Sequence, residues 1–190
     1  MAKPSNGAAD PRSPLVFDVS RLGRRPGAMH EVRQTVPSPA RIGLDLIAIE
    51  AGAPLELDLR FESVSEGVLV SGTMYGPSRG ECSRCLEPVT GDVDIALTEL
   101  FAYPDSLTES TTEEDEVGHV VDWCVNLEQP IVDAVGLALP FAPLCRADCP
   151  GLCPVCGVAL AGAEADHGHD QIDPRWAKLA KLLPPDGEPS

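Results

Sequence analysis

The sequence predicts an α+β fold: a mainly antiparallel β body with one packed helix, then a cysteine-rich stretch and a C-terminal helix. Three observations carry this. Apolar and charged residues alternate without exception over one segment, the links between strand patterns are short, and a 3.6-residue period appears in two other segments.

The alternation is clearest where Leu55, Leu57, Leu59 and Phe61 point one way and Glu56, Asp58, Arg60 and Glu62 the other. Period two with one apolar face is the mark of a half-buried strand. Glu66-Gly67 then reads as a turn into a second strand through Val68 and Val70, ending near Tyr75. A third pattern runs through Val93, Ile95 and Leu97 to Phe101, and weaker strands are expected at residues 15–19, 42–49 and 120–123. Links this short leave no room for helical crossovers, so the strands should pair antiparallel.

The first helix should start at Asn126, with Gln129 completing a capping-box-like pair, and bury Ile131, Val132, Val135 and Leu139. Pro130 falls in its first turn, where the missing N–H costs little. The second should be capped by Asp173, with Pro174 at its first position and a stripe of Trp176, Leu179, Ala180 and Leu183. Residues 1–14, polar and Pro-rich, read as disordered, as does the tail 184–190, which leaves a β-rich body at 15–144 and a metal-binding segment with its helix at 145–183. Within the body, residues 104–118 hold Glu113, Glu114, Asp115 and Glu116 without periodicity and read as a mobile acidic loop.

The 190 residues are 43% apolar and carry a formal charge of −16. That charge opposes nucleic acid, whose binders gain affinity by neutralising phosphates. Basic residues do cluster, as Arg21, Arg24 and Arg25 and as Arg175, Lys178 and Lys181. Both clusters are accounted for as solvated faces, the second also as a match to its helix dipole. No run reaches the roughly 18 apolar residues of a membrane helix, and no apolar signal-peptide core is present, which predicts a cytoplasmic protein without a membrane partner.

Thiols stay reduced in that compartment, so paired cysteines point to metal before disulfides. Of seven cysteines, Cys124 stands apart and reads as a small buried apolar residue. The other six are Cys82, Cys85, Cys145, Cys149, Cys153 and Cys156, and His167 and His169 follow them. These donors fill two tetrahedral zinc sites with nothing over. Chain order favours Cys82, Cys85, Cys145 and Cys149 for one ion, and Cys153, Cys156, His167 and His169 for the other. One ion held by Cys82, Cys85, Cys153 and Cys156 is the rival. Sites with four protein ligands leave no position for water, so they are structural and contribute on the order of 10 kcal/mol to folding. A redox pair is the other use of Cys-x2-Cys, but the first pair lies between strands and opens no helix. No catalytic residue or cofactor-binding motif is found: there is no P-loop, dinucleotide fingerprint, Gly-x-Ser-x-Gly or His-Glu-x-x-His. An enzyme and a small-molecule substrate are therefore not expected.

The motifs run in the order Cys82-x2-Cys85-Leu86-x-Pro88, Leu137-Ala138-Leu139-Pro140, then Pro143-Leu144-Cys145-x3-Cys149-x-Gly151-Leu152-Cys153-Pro154-x-Cys156-Gly157, and finally Asp173-Pro174-Arg175. This order resembles the YceD family, the large ribosomal RNA subunit accumulation proteins. The resemblance implies a cytosolic bacterial protein needed for 23S rRNA levels and large ribosomal subunit biogenesis, with no enzymatic activity. It also implies cysteines in the last ligand positions of many members, where this chain has His167 and His169. The partner it implies is a large-subunit precursor, reached through a basic ribosomal protein or a local 23S rRNA contact. The acidity favours the protein. The alternative is a zinc- or redox-responsive regulator using the same cysteines as a sensor.

Overall fold

A computed structural model describes residues 12–111, 117–164 and 166–169. The expected second helix with Arg175, Lys178 and Lys181, both chain ends and the Glu113–Glu116 acids lie outside the described residues.

The chain runs β1 (Val16–Asp18), β2 (Met29–Pro37), β3 (Ile42–Gly43), β4 (Ile47–Ile49), β5 (Pro54–Ser63), β6 (Gly67–Glu81), β7 (Pro88–Ala102), α1 (Leu107–Thr111), β8 (Gly118–His119), β9 (Cys124–Asn126) and α2 (Glu128–Ala138). Two strands, β6 and β7, form an antiparallel ladder along their whole 15-residue length. On the other side of β6, β5 pairs with its first half and β4 with its end. β2 then lies outside β5, and β3 outside β4. The alternating residues of β5 face inward: Leu57, Met74 and Ile95 align in one row across three strands, and Leu59, Gly72 and Leu97 in the next.

Helix α2 packs against β7 and β3, and Ile131, Val135 and the C-cap residue Leu139 are all buried, each contributing about 2 kcal/mol of apolar burial. Val132, expected on that face, is exposed. The helix begins one residue later than expected: Asn126 Oδ1 accepts the Glu128 N–H at 2.9 Å, while Gln129 turns forward to Asp133 instead of back to Asn126. The small β1–β9 sheet joins the core through Phe17, whose ring lies 5.2 Å from that of Phe61.

Five further expectations need correction. Residues 120–123 are not a strand: Asp122 and Trp123 have positive φ in a tight turn, and the strand starts at Cys124. Residues 42–49 form a two-strand hairpin instead of one strand. The pairing of β7 with β8 is parallel, over Phe101↔Gly118 and Ala102↔His119. Residues 104–118 are not a free loop throughout, because Glu66 Oε2 accepts the N–H groups of Leu107 and Thr108 and so ties down the start of α1. At the N-terminal end, Ser13 is hydrogen-bonded to Glu128, so order begins before residue 15.

Candidate metal centres

The turn between β6 and β7 is set by Cys82. Its N–H donates to the Glu87 carbonyl at 2.8 Å, and its own carbonyl accepts the Leu86 N–H at 2.9 Å. Cys153 repeats this pattern, donating to the Val158 carbonyl at 2.8 Å and accepting the Gly157 N–H at 2.8 Å. In both turns the residue four past the first cysteine has a left-handed backbone, with φ of 62° at Leu86 and 74° at Gly157. The two Cys-x2-Cys segments are thus copies of one knuckle that aims both sulfurs to the same side. Gly157 was legible as turn chemistry; Leu86, carrying a side chain, was not.

The first knuckle is stitched to a distant part of the chain. Ser83 N–H donates to the Pro143 carbonyl at 2.8 Å, Arg84 Nη1 to the Cys149 carbonyl at 2.9 Å, and Leu152 N–H to the Arg84 carbonyl at 3.1 Å. Gly151, at φ +82°, passes so close that a Cβ there would meet the Arg84 carbonyl oxygen at 3.2 Å.

These bonds gather Cys82, Cys85, Cys145 and Cys149, whose sulfurs all lie within 4.8 Å of one another. Cys153, Cys156, His167 and His169 converge to the same limit in a second group. The rival set is therefore divided between the groups. Cys124 is in neither; it lies half-buried in β9 opposite Asp18, where burial and then the charges of Asp18 and Asp122 push its thiol up.

The donor spacing fits a small tetrahedral cation. Bonds of about 2.3 Å to sulfur put tetrahedral neighbours about 3.8 Å apart. Cys82 and Cys149 sulfurs stand 3.8 Å apart, and those of Cys85 and Cys145 3.6 Å. In the second group Cys156 Sγ lies 3.5 Å from His167 Nε2 and 3.3 Å from His169 Nε2. Cys82, Cys149 and Cys153 are buried, whereas Cys145, Cys156 and His169 reach the surface.

Charge is divided unevenly among these thiols. Burial acts to raise Cys82, but the N–H groups of Cys145, Arg84 and Cys85 outweigh it and hold the thiol down at about 6. The Cys156 N–H, then His167 and the Val155 N–H, hold Cys153 down at about 6. Its neighbours Cys85 and Cys149 push Cys145 up to about 12. At Cys85 the Glu87 N–H favours the thiolate, yet burial and the Cys82 and Cys149 sulfurs prevail and raise it. Sulfurs this close cannot all ionise unaided, and a bound divalent cation removes that conflict.

The model of one family, described as the large ribosomal RNA subunit accumulation protein YceD, matches residues 70–183, a span that contains both ligand groups. This chain belongs to the YceD family. An uncharacterised protein of Mycobacterium tuberculosis (strain H37Rv) is 68% identical over 176 residues, covering 93% of this chain and 84% of the relative. A YceD relative in Mycobacterium leprae, also uncharacterised, is 62% identical over 174 residues, 92% and 80% of the two chains. More distant is the uncharacterised protein YlbN of Bacillus subtilis, 29% identical over 132 residues, or 69% of this chain and 73% of that one. No solved structure matches this YceD chain. Among its described residues no helix is long and apolar enough to cross a membrane.

Proposed function

We propose that this chain is a non-enzymatic cytoplasmic factor that supports 23S rRNA accumulation and large ribosomal subunit biogenesis, with one structural zinc ion in each ligand group. The observation that carries the reading is the family match over residues 70–183, because the matched span includes all eight donors. Zinc is favoured over harder cations by the donors themselves, thiolate sulfur and imidazole nitrogen. Each ion would cross-link separate segments of the chain, and with four protein donors it would offer no position for a reacting water.

A large-subunit precursor is the partner, engaged through a basic ribosomal protein. Support for a protein contact comes from the charge of −16, which attracts basic chains and repels RNA. A local RNA contact would need Arg21, Arg24 and Arg25, or Arg175, Lys178 and Lys181. Arg24 is already engaged, donating to the Pro104 carbonyl at 3.2 Å with its guanidinium over the Tyr103 ring.

Elemental analysis of protein purified without added metal should find two zinc ions per chain; none would sink the zinc assignment. Co-sedimentation with large-subunit precursors should survive reversal of either basic cluster to glutamate and weaken as salt rises. Tight binding to naked 23S rRNA fragments at physiological salt would contradict the protein contact. One observation favours a second reading, a zinc- or redox-responsive regulator: the Cys85 and Cys145 sulfurs lie 3.6 Å apart on the more open side of their group. Mild peroxide separates the two, because a sensor releases zinc under it and a structural centre retains it.

A further inference from the structure

Strand β7 has two edges. One carries the ladder to β6 from Pro88↔Glu81 to Ala102↔Gly67. On the other, β8 covers only Phe101 and Ala102, so among the described residues 88–100 face no strand. Such an edge presents alternate unpaired N–H and C=O groups, a template for one more strand. Lysines commonly blunt exposed edges, and β7 has none.

Beside the first part of this edge lies a groove of about 480 Å³. Its walls are residues 89–94 of β7 and, from the end of α2 onward, Ala138, Leu139, Pro140, Ala142, Pro143 and Leu144, with Ile47 and Ser78 beneath. Among the described residues the charged ones along it are Asp92 and Asp94, which alternate with the buried Val93. The last turn of α2 and the stretch after it carry two bare apolar side chains outside the groove lining, Leu137 at 89% exposure and Phe141 at 88%. Large apolar side chains exposed together at the end of a helix mark a surface that something covers. The charge of that cover follows from the walls. Residues 88–102 and 128–144 contain Asp92, Asp94, Glu99, Glu128 and Asp133 and no Lys, Arg or His.

We propose that the β7 edge and this groove take an extended, basic segment of a partner protein, added to the sheet as a strand. Its lysines or arginines would meet Asp92 and Asp94, and an apolar side chain would cover Phe141 and Leu137. Main-chain bonds supply affinity in this mode and the side-chain contacts supply selectivity. The proposal deepens the protein-partner reading given above and rests on it for the partner's origin. RNA is disfavoured because phosphates would face carboxylates. A second copy of the chain would bring its own Asp92 and Asp94 against these. The chain's residues 173–183 are basic, but their Asp173-Pro174 start and apolar stripe are a helix pattern without a strand edge to offer.

Full-length, metal-loaded protein is titrated at physiological salt with a labelled ten-residue peptide alternating Lys and Val. A second peptide of the same sequence and charge carries N-methyl groups on alternate amides, so it cannot extend a sheet. The first should bind and the second should lose about tenfold or more. Asp92→Lys with Asp94→Lys should weaken the first peptide by about tenfold, and Phe141→Ser by about fivefold. All three positions are exposed, and circular dichroism checks that the variants fold. Equal binding of the two peptides, or unchanged binding by the variants, overturns the proposal. A photo-crosslinker replacing Phe141 in cells should join to a basic segment of another protein. Crosslinks confined to residues 170–190 or to a second copy overturn it as well. The two readings fail separately. If the groove variants co-sediment with large-subunit precursors like the parent, the groove proposal falls and the ribosomal one stands. If the peptide results hold while the protein ignores the precursors, the reverse is true.

Discussion

Leu86 holds the first knuckle in a conformation that favours glycine. At φ 62° its Cβ crowds the neighbouring backbone, a cost of about 1–2 kcal/mol, and at 56% exposure its side chain recovers little by burial. Leu86→Gly should therefore raise stability, by about 0.5–1 kcal/mol once the greater freedom of unfolded glycine is set against it. Urea melts of the metal-loaded protein check this, and Leu86→Val, β-branched at a positive φ, should move the midpoint the other way. The thiols give a second expectation, for metal-free protein. Cys82 and Cys153 are held at about 6, against about 8.5 in an unfolded chain. A depressed pKa contributes stability that is complete above the unfolded value and lost as pH falls through the folded one. Apoprotein stability should thus decline from about pH 8.5 to about pH 6. Cys145, raised to about 12, acts with the opposite sign and should lower stability only as pH climbs above the ordinary thiol value. Denaturant midpoints from about pH 6 to above the ordinary thiol value of about 8.5 test both signs.

Two glycines that look alike in sequence separate at the level of the element. Gly72 sits in β6 between Leu59 and Leu97, and a Cβ there would come within 2.1 Å of the Asp58 carbonyl oxygen. Gly136 lies in α2 with nothing within 4 Å of an added Cβ. Gly72→Ala should cost about 3 kcal/mol or more, whereas Gly136→Ala should stabilise by about 1 kcal/mol. Equal shifts in melting temperature would contradict this. The same elements show what was readable beforehand. β5 and the core of β7 were plain, because one of their faces is buried and the alternation records it. β2 was missed. It is an edge strand whose apolar residues, Met29, Val32 and Val36, follow a helix-like spacing, and only Val36 is buried. The far half of β6 was missed because Gly76, Pro77 and Gly80 break the pattern; pairing to β7 and β4 carries it through. The ligand grouping was legible from donor count and chain order. The hydrogen bonds from Ser83 and Arg84 that close the first group were not, since nothing local marks them.

Across the whole molecule the two ligand groups, once metal-bound, would tie chain of different reach. The first spans sequence separations of 60 and 67 residues between its sulfurs, whereas the second spans 11 and 13 between Cys156 and its histidines. Losing a long-range tie exposes more of the fold than losing a local one. Cys82→Ser or Cys145→Ser should therefore lower the melting temperature of the β body, and Cys153→Ser should loosen mainly residues after 150. Hydrogen exchange reports both effects by region, and the reverse order would overturn the division of roles.

That separation of 60 residues between Cys85 and Cys145 also sets a clock. At a synthesis rate of about 5–20 residues per second, the first knuckle emerges roughly 3–12 seconds before its partner sulfurs exist. During that interval β6 and β7 can pair, because their ladder needs no metal, but the first centre cannot close. A chain stalled before residue 145 would carry Cys82 and Cys85 as an open pair of thiols on an otherwise formed sheet. Closure of the first group around a metal would thus mark a chain made past Cys149, and unclosed Cys82 and Cys85 would mark one interrupted earlier, open to capture by thiol reagents or by quality-control machinery that reads exposed cysteine.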